Sequence, residues 1–160
     1  MCHHRLESGW ARALANHKKH TMFTTVIAPF ATLVILLVWM GFFMFSSLPL
    51  MILKHDTPLD ARFIRGLFDV YYKAVLVTAS AGALANAAAG RPGIAASMTA
   101  IVLVTFVSRR YILSRMDALR ATMTATDAGQ IRQFRRLHIL GMVLNVGQLF
   151  AVCVGLVNLL

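Results

Sequence analysis

The chain has 160 residues, 58% of them hydrophobic, a mean hydropathy of +0.68 and a formal charge of +10 from 16 Lys and Arg against 6 Asp and Glu. Globular domains average about 45–50% apolar residues, so the composition argues against a water-soluble helical bundle. The length leaves room for one membrane domain and no soluble catalytic domain beside it. The basic excess flanks apolar segments, where membrane topology places it, so anionic lipid head groups are the expected partner and nucleic acid is not.

The first twenty-two residues form a polar, basic tail, and Met22 is an alternative start that would remove it. The expected domain runs from 23 to 160. From Thr21 to Leu53 there is no Asp, Glu, Lys or Arg, a run longer than the roughly 20 residues that cross the hydrocarbon core as a helix. Helix is expected over Phe23–Leu48, with Pro29 as a kink and Ser46-Ser47-Leu48-Pro49 as its end or a second kink. Thr57-Pro58-Leu59-Asp60 reads as a helix start, with Thr57 as N-cap and Pro58 at the first helical position.

Leu59–Lys73 is amphipathic, with Leu59, Phe63, Leu67 and Tyr71 at four-residue spacing. It is expected to lie at the interface and feed into the second span, with Arg65/Asp69 and Asp69/Lys73 as i, i+4 pairs and Tyr71 and Tyr72 as an aromatic anchor. The second span is rich in small residues, among them Ala79, Ser80, Gly82, Ala83 and Ala87, a surface that lets helices approach closely. Gly90-Arg91-Pro92-Gly93 is a turn. The third span, from Ile94, continues through Leu113, with Arg109, Arg110 and Arg115 reaching toward head groups. The pattern weakens around Thr122–Gly129. Asp127 followed by Gln130 resembles a capping box for the last helix, which carries Arg132, Arg135 and Arg136 before the apolar run to Leu160.

Four spans sort the basic residues into two groups. Arg5, Arg12, Lys18, Lys19 and Arg91 fall on one side, and the other eleven of the 16 fall on the other. This bias predicts both termini outside and the two basic connections in the cytoplasm. A bacterial inner membrane suits the preference for Arg and Ala over Lys. The expected fold is all-α: a polytopic four-transmembrane-helix bundle with helical extensions at the cytoplasmic face.

Polar groups within apolar helices are the natural place to look for function. On the last helix His138, Gly141, Asn145, Gln148 and Gly155 fall within about a third of the circumference at 3.6 residues per turn. One reading is a cofactor-binding site, with His138 as ligand or proton carrier and Asn145 and Gln148 as hydrogen-bond donors. The other is helix packing through Gly82, Ala83, Gly141 and Gly155, with the amides bonding across the interface. Asn158 lies on a different face and is expected to meet water. Cys2 and Cys153 are far apart in sequence and support neither a disulfide framework nor a metal site. Motifs of zinc hydrolases, serine hydrolases and phosphate-binding loops are absent. No catalytic residue is assigned.

Phe134-Arg135-Arg136-Leu137-His138 followed by Asn145 resembles the last-helix signature of the transmembrane-protein-205-like family, as do the Arg-rich connection before it and Phe68-Asp69-Val70-Tyr71-Tyr72. The resemblance is specific over Gln133–Gln148. It implies a four-span membrane domain without established catalytic residues; the N-terminal tail departs from the pattern. The expected role is that of a non-catalytic membrane protein, acting by helix packing, as a homo-oligomer or on a membrane partner. The alternative is a small redox or haem-binding protein using His138. A haem needs an axial ligand and a dry pocket, and no second histidine lies in a span. A transporter is a third possibility that would require oligomerisation.

Overall fold

The computed structural model describes residues 21–52, 58–122, 124 and 126–159. Expectations for the tail before Thr21, for the Thr57 cap and for Lys54 and His55 lie outside these residues. Thr21 and Met22 are already helical, so the described chain enters helix two residues before the expected boundary at Phe23. A π-helical turn, Phe23–Ile27, leads into α1, Ala28–Ile52. Pro29 lacks the N–H of the ordinary ladder, and its ring crowds the carbonyl four residues back. The wider turn just before it accommodates both. Pro49 does not end α1, which continues three residues past it.

The helix α2 is one uninterrupted element, Pro58–Ala88. The amphipathic stretch therefore runs on into the second span without a break, as expected. Its buried face differs from the expected one: Ala61, Ile64, Phe68, Tyr71, Tyr72, Val75 and Ala79 point inward, whereas Phe63 is 60% exposed. The four-residue line of larger residues lost to a neighbouring line because Ala61, Phe68 and Tyr72 complete a continuous apolar side with Val75 and Ala79. Tyr71 and Tyr72 are each only 3% exposed; they are core residues and not anchors at the bundle surface.

Gly90, with φ of +70°, closes the turn after α2 in a conformation that favours glycine. Pro92 stands at the first position of α3, Pro92–Ser108, where its missing N–H costs nothing. A second π-helical turn, Arg109–Leu113, links α3 to α4, Ser114–Thr122, so the third span continues through Leu113 as expected and then runs on to Thr122. The last helix is α5, Ala128–Val157. Asp127 caps it by accepting from the Gly129 and Gln130 amides, both at 3.0 Å. The reciprocal half of the box is missing: Gln130 Oε1 accepts from Thr122 Oγ1 at 3.2 Å, tying α5 to the end of α4.

Four stretches are long and apolar enough to cross a membrane: Thr25–Ile52, Asp60–Ala88, Pro92–Thr122 and Ala128–Val157. The protein is an all-α, multi-pass membrane protein by that measure. α2 packs closely on both α1 and α3, and α5 packs on α1 more than on α3. The α3–α5 seam is the loosest side of the bundle. The core between them is built from Leu33, Leu36, Met40 and Phe43 of α1, the inner face of α2, Met98 and Ile101 of α3, and Leu137, Met142 and Val152 of α5.

Ion pairs tie the arginine-rich end together. Lys73 pairs with Asp69 at 2.7 Å as expected, but Arg65 bridges instead to Asp117 of α4 through two 2.9 Å bonds. Arg109 does not reach outward: it donates to Asp69 at 3.0 Å between α2 and the π-helical turn. Carboxylates thus lie within two of the span-length stretches, Asp69 in the second and Asp117 in the third, each paired with two cations.

Candidate functional site

The five residues picked out on the last helix all face inward from α5. Asn145, 1% exposed, uses both ends of its amide: Oδ1 accepts from the Tyr71 hydroxyl at 2.6 Å, and Nδ2 donates to the Met40 carbonyl at 3.2 Å. Gln148, one turn further, does likewise. Its Oε1 takes the longer share of the Tyr71 proton at 3.3 Å, and its Nε2 donates to Thr105 Oγ1 at 3.1 Å. Met40 belongs to α1, Tyr71 to α2 and Thr105 to α3, so two amides of α5 bond to every other membrane-length helix. All the side chains involved are neutral hydrogen-bonding groups. In an apolar interior such groups must find partners, and here they find them across the bundle.

Aromatic rings hold the network in place. Phe43 stacks on Tyr71 with centroids 4.2 Å apart, and Phe68 meets Phe43 edge-on at 4.8 Å. Both arrangements suit the ring quadrupoles. Phe68 in turn needs Gly141: a methyl group there would come within 2.6 Å of Phe68 Cζ, too close for the ring to stay.

His138 stands apart from the amides. Its ring lies edge-on to Phe68 at 5.6 Å, and its buried Nε2 has no hydrogen-bond partner. The buried Tyr72 hydroxyl, also beside Phe68, has none either. Of the three candidate cofactor-binding residues, the fold brings Asn145 and Gln148 together and leaves His138 outside their bonds. Among the described residues His138 is the only histidine, so no second imidazole stands beside it. Among the described residues no group of three His, Cys, Asp or Glu could hold a metal ion.

The small residues act inside the chain. Gly82 faces Thr32 of α1, where an added methyl would stand 3.2 Å from Oγ1, and Ala83 packs against the core. Gly155 is in ordinary contact with Leu33, at 3.6 Å from an added carbon. The candidate head-group arginines divide. Arg109 is taken by Asp69; Arg110 lies 5.8 Å over the Phe106 ring and Arg115 5.6 Å over Tyr111; Arg132 and Arg136 are exposed on the first turns of α5, and Arg135 is half-buried. Asn158 is exposed and bonds the Val154 carbonyl, and Cys153 is exposed on α5.

Sequence reasoning missed Tyr71 and Thr105 as partners of the amides. A hydroxyl inside a charge-free span was the available signal for Thr105. Nothing local marked Tyr71, because a tyrosine beside charged residues reads equally well as an interfacial ring. No family model matches the chain, and no curated protein or solved structure shows significant similarity to it.

Proposed function

We propose that the protein is a non-catalytic integral membrane protein that acts by holding a packed four-helix body in the bilayer, as a homo-oligomer or against a membrane partner. The observation that carries this reading is the engagement of Asn145 and Gln148 by other helices: each amide donates and accepts within the bundle. Their chemistry is that of interhelical bonding: one N–H and the carbonyl oxygen of each amide are engaged by other helices of the bundle. The likeness of Phe134–His138 and Asn145 to the transmembrane-protein-205-like signature belongs to the same reading, as does placement in a bacterial inner membrane with both termini outside and the arginine-rich end in the cytoplasm. That end meets anionic head groups.

An absorption spectrum of the detergent-purified protein beside His138→Ala tests it. Two featureless visible spectra are expected, with helix content retained in the variant. A Soret band lost in His138→Ala would overturn the reading and make the redox alternative the function. Since Gly82 is engaged with Thr32, Gly82→Leu is expected to loosen the fold itself. A partner interface belongs on the outward faces.

A further inference from the structure

The α3–α5 seam carries an open groove that runs most of the length of the bundle. Three hollows make it, of about 430, 370 and 490 Å³. The first two share Val104 and Leu144, and the last two share Ser97 and Ala151, so they are continuous. From Gly93 to Tyr111 the floor on α3 is about 27 Å long at the 1.5 Å rise of a helix, comparable with the hydrocarbon core of roughly 30 Å.

The hollow at the arginine end differs from an ordinary lipid-facing side in three respects. Ser108 lines it and is only 7% exposed, placing a hydroxyl in an otherwise apolar wall. The lining passes through the π-helical turn at Arg109–Leu113, a distortion common at functional sites. Cations flank the mouth: Arg115 lies over the ring of Tyr111, which forms part of the wall, and Arg136 is one turn before Leu140, another wall residue. Among the described residues no carboxylate pairs with Arg115 or Arg136, unlike Arg65, Arg109 and Arg120.

We infer that this groove binds one anionic phospholipid. The phosphate sits at Arg115 and Arg136, the ester region reaches Ser108, and one acyl chain lies along Val104 and Leu144. This deepens the membrane reading above and rests on it. Positive charge at one end of an apolar channel, with a buried donor between them, matches an amphiphile of that polarity, whereas a neighbouring helix would leave the arginines without a counter-charge.

The test uses the full chain in phosphatidylcholine vesicles containing a minor fraction of phosphatidylglycerol. The protein is then gently solubilised and weighed with retained lipid by native mass spectrometry. One retained phosphatidylglycerol per chain, in preference to phosphatidylcholine, is expected. Arg115→Gln and Arg136→Gln should each lower its retention about five-fold, the effect of one arginine near an anionic surface. Val104→Trp should displace lipid of either kind, and Ser108→Ala, which removes one hydroxyl, is the milder variant should the tryptophan prevent folding. Arg120→Gln, on α4 and paired with Asp117 outside the groove lining, should leave retention unchanged. Equal retention of the two lipids, an equal loss with Arg120→Gln, or a lipid-free dimer would overturn the inference. Flotation with the vesicles before solubilisation separates the two readings: protein that does not float sinks the membrane reading, and protein that floats but keeps no phosphatidylglycerol sinks only the lipid site.

Discussion

The Tyr71 hydroxyl has one proton and two acceptors, and the 2.6 Å bond to Asn145 takes the larger share. Tyr71→Phe keeps the ring stacked on Phe43 but leaves Asn145 Oδ1 and Gln148 Oε1 without that donor. A loss on the order of 1 kcal/mol in a detergent unfolding titration is expected, in the range of interhelical bonds in membranes. Because Asn145→Ala removes the same contact, the double variant should lose less than the two singles summed. Gly141 gives a second residue-level prediction. Gly141→Ala drives a methyl into Phe68 and is expected to cost about 1–3 kcal/mol, as overpacking does, while Gly155→Ala, in ordinary contact with Leu33, should be close to neutral. Phe68→Leu combined with Gly141→Ala should recover part of the loss. If Gly141→Ala unfolds at the wild-type point, the close approach of Phe68 is not a constraint. These residues were unequally legible. The inward face of α5 follows from helical spacing alone, so Asn145 and Gln148 could be paired with each other before any fold was known. That their partners are Tyr71, Thr105 and the Met40 carbonyl depends on which helices neighbour α5.

At the level of elements, helix ends and ion pairs are the testable features. Asp127 satisfies two amides at the start of α5, so Asp127→Ala is expected to cost about 1 kcal/mol and Asp127→Asn or Asp127→Ser much less. Faster hydrogen exchange at Gly129 and Gln130 in Asp127→Ala would report it; unchanged exchange would mean the cap does not hold these amides. The two carboxylate clusters should differ. Asp117 is 44% exposed, and its bridge to Arg65 is of the solvent-screened kind worth about 0–1 kcal/mol. Asp69, 18% exposed, faces both Lys73 and Arg109. Asp69→Asn is therefore expected to destabilise more than Asp117→Asn, and high salt should shrink the Asp117→Asn effect more than the Asp69→Asn effect; equal effects would place both clusters in the same solvent. The sequence marked Asp127 as a cap because residue type and position suffice for that. It paired Arg65 with Asp69 because helical spacing permits it, whereas the antiparallel return of the chain puts Asp117 within reach and makes the two-bond geometry available there.

For the whole molecule, the basic bias sets the orientation to be tested. In a background with Cys2 and Cys153 replaced by Ser, single cysteines at Gly93 and Thr124 should react with a membrane-impermeant maleimide from opposite sides of the membrane, with Gly93 outside. Labelling from the same side would remove the four-span topology, and the reverse pattern would invert the orientation. Four membrane-length helices could be read directly from the chain, since the hydrocarbon core demands a certain length of apolar helix whatever the tertiary structure. The turn at Gly90–Gly93 was equally plain, because glycine and proline act on the local backbone. Pairing and depth are different in kind. The burial of Tyr71 and Tyr72, the inward line through Phe68, the bond between Arg109 and Asp69, and the loose α3–α5 seam each depend on which helix lies opposite, and residues remote in sequence compete for those positions. Composition determined that this chain forms apolar helices; only packing decided which of their polar groups meet one another and which side of the bundle stays open.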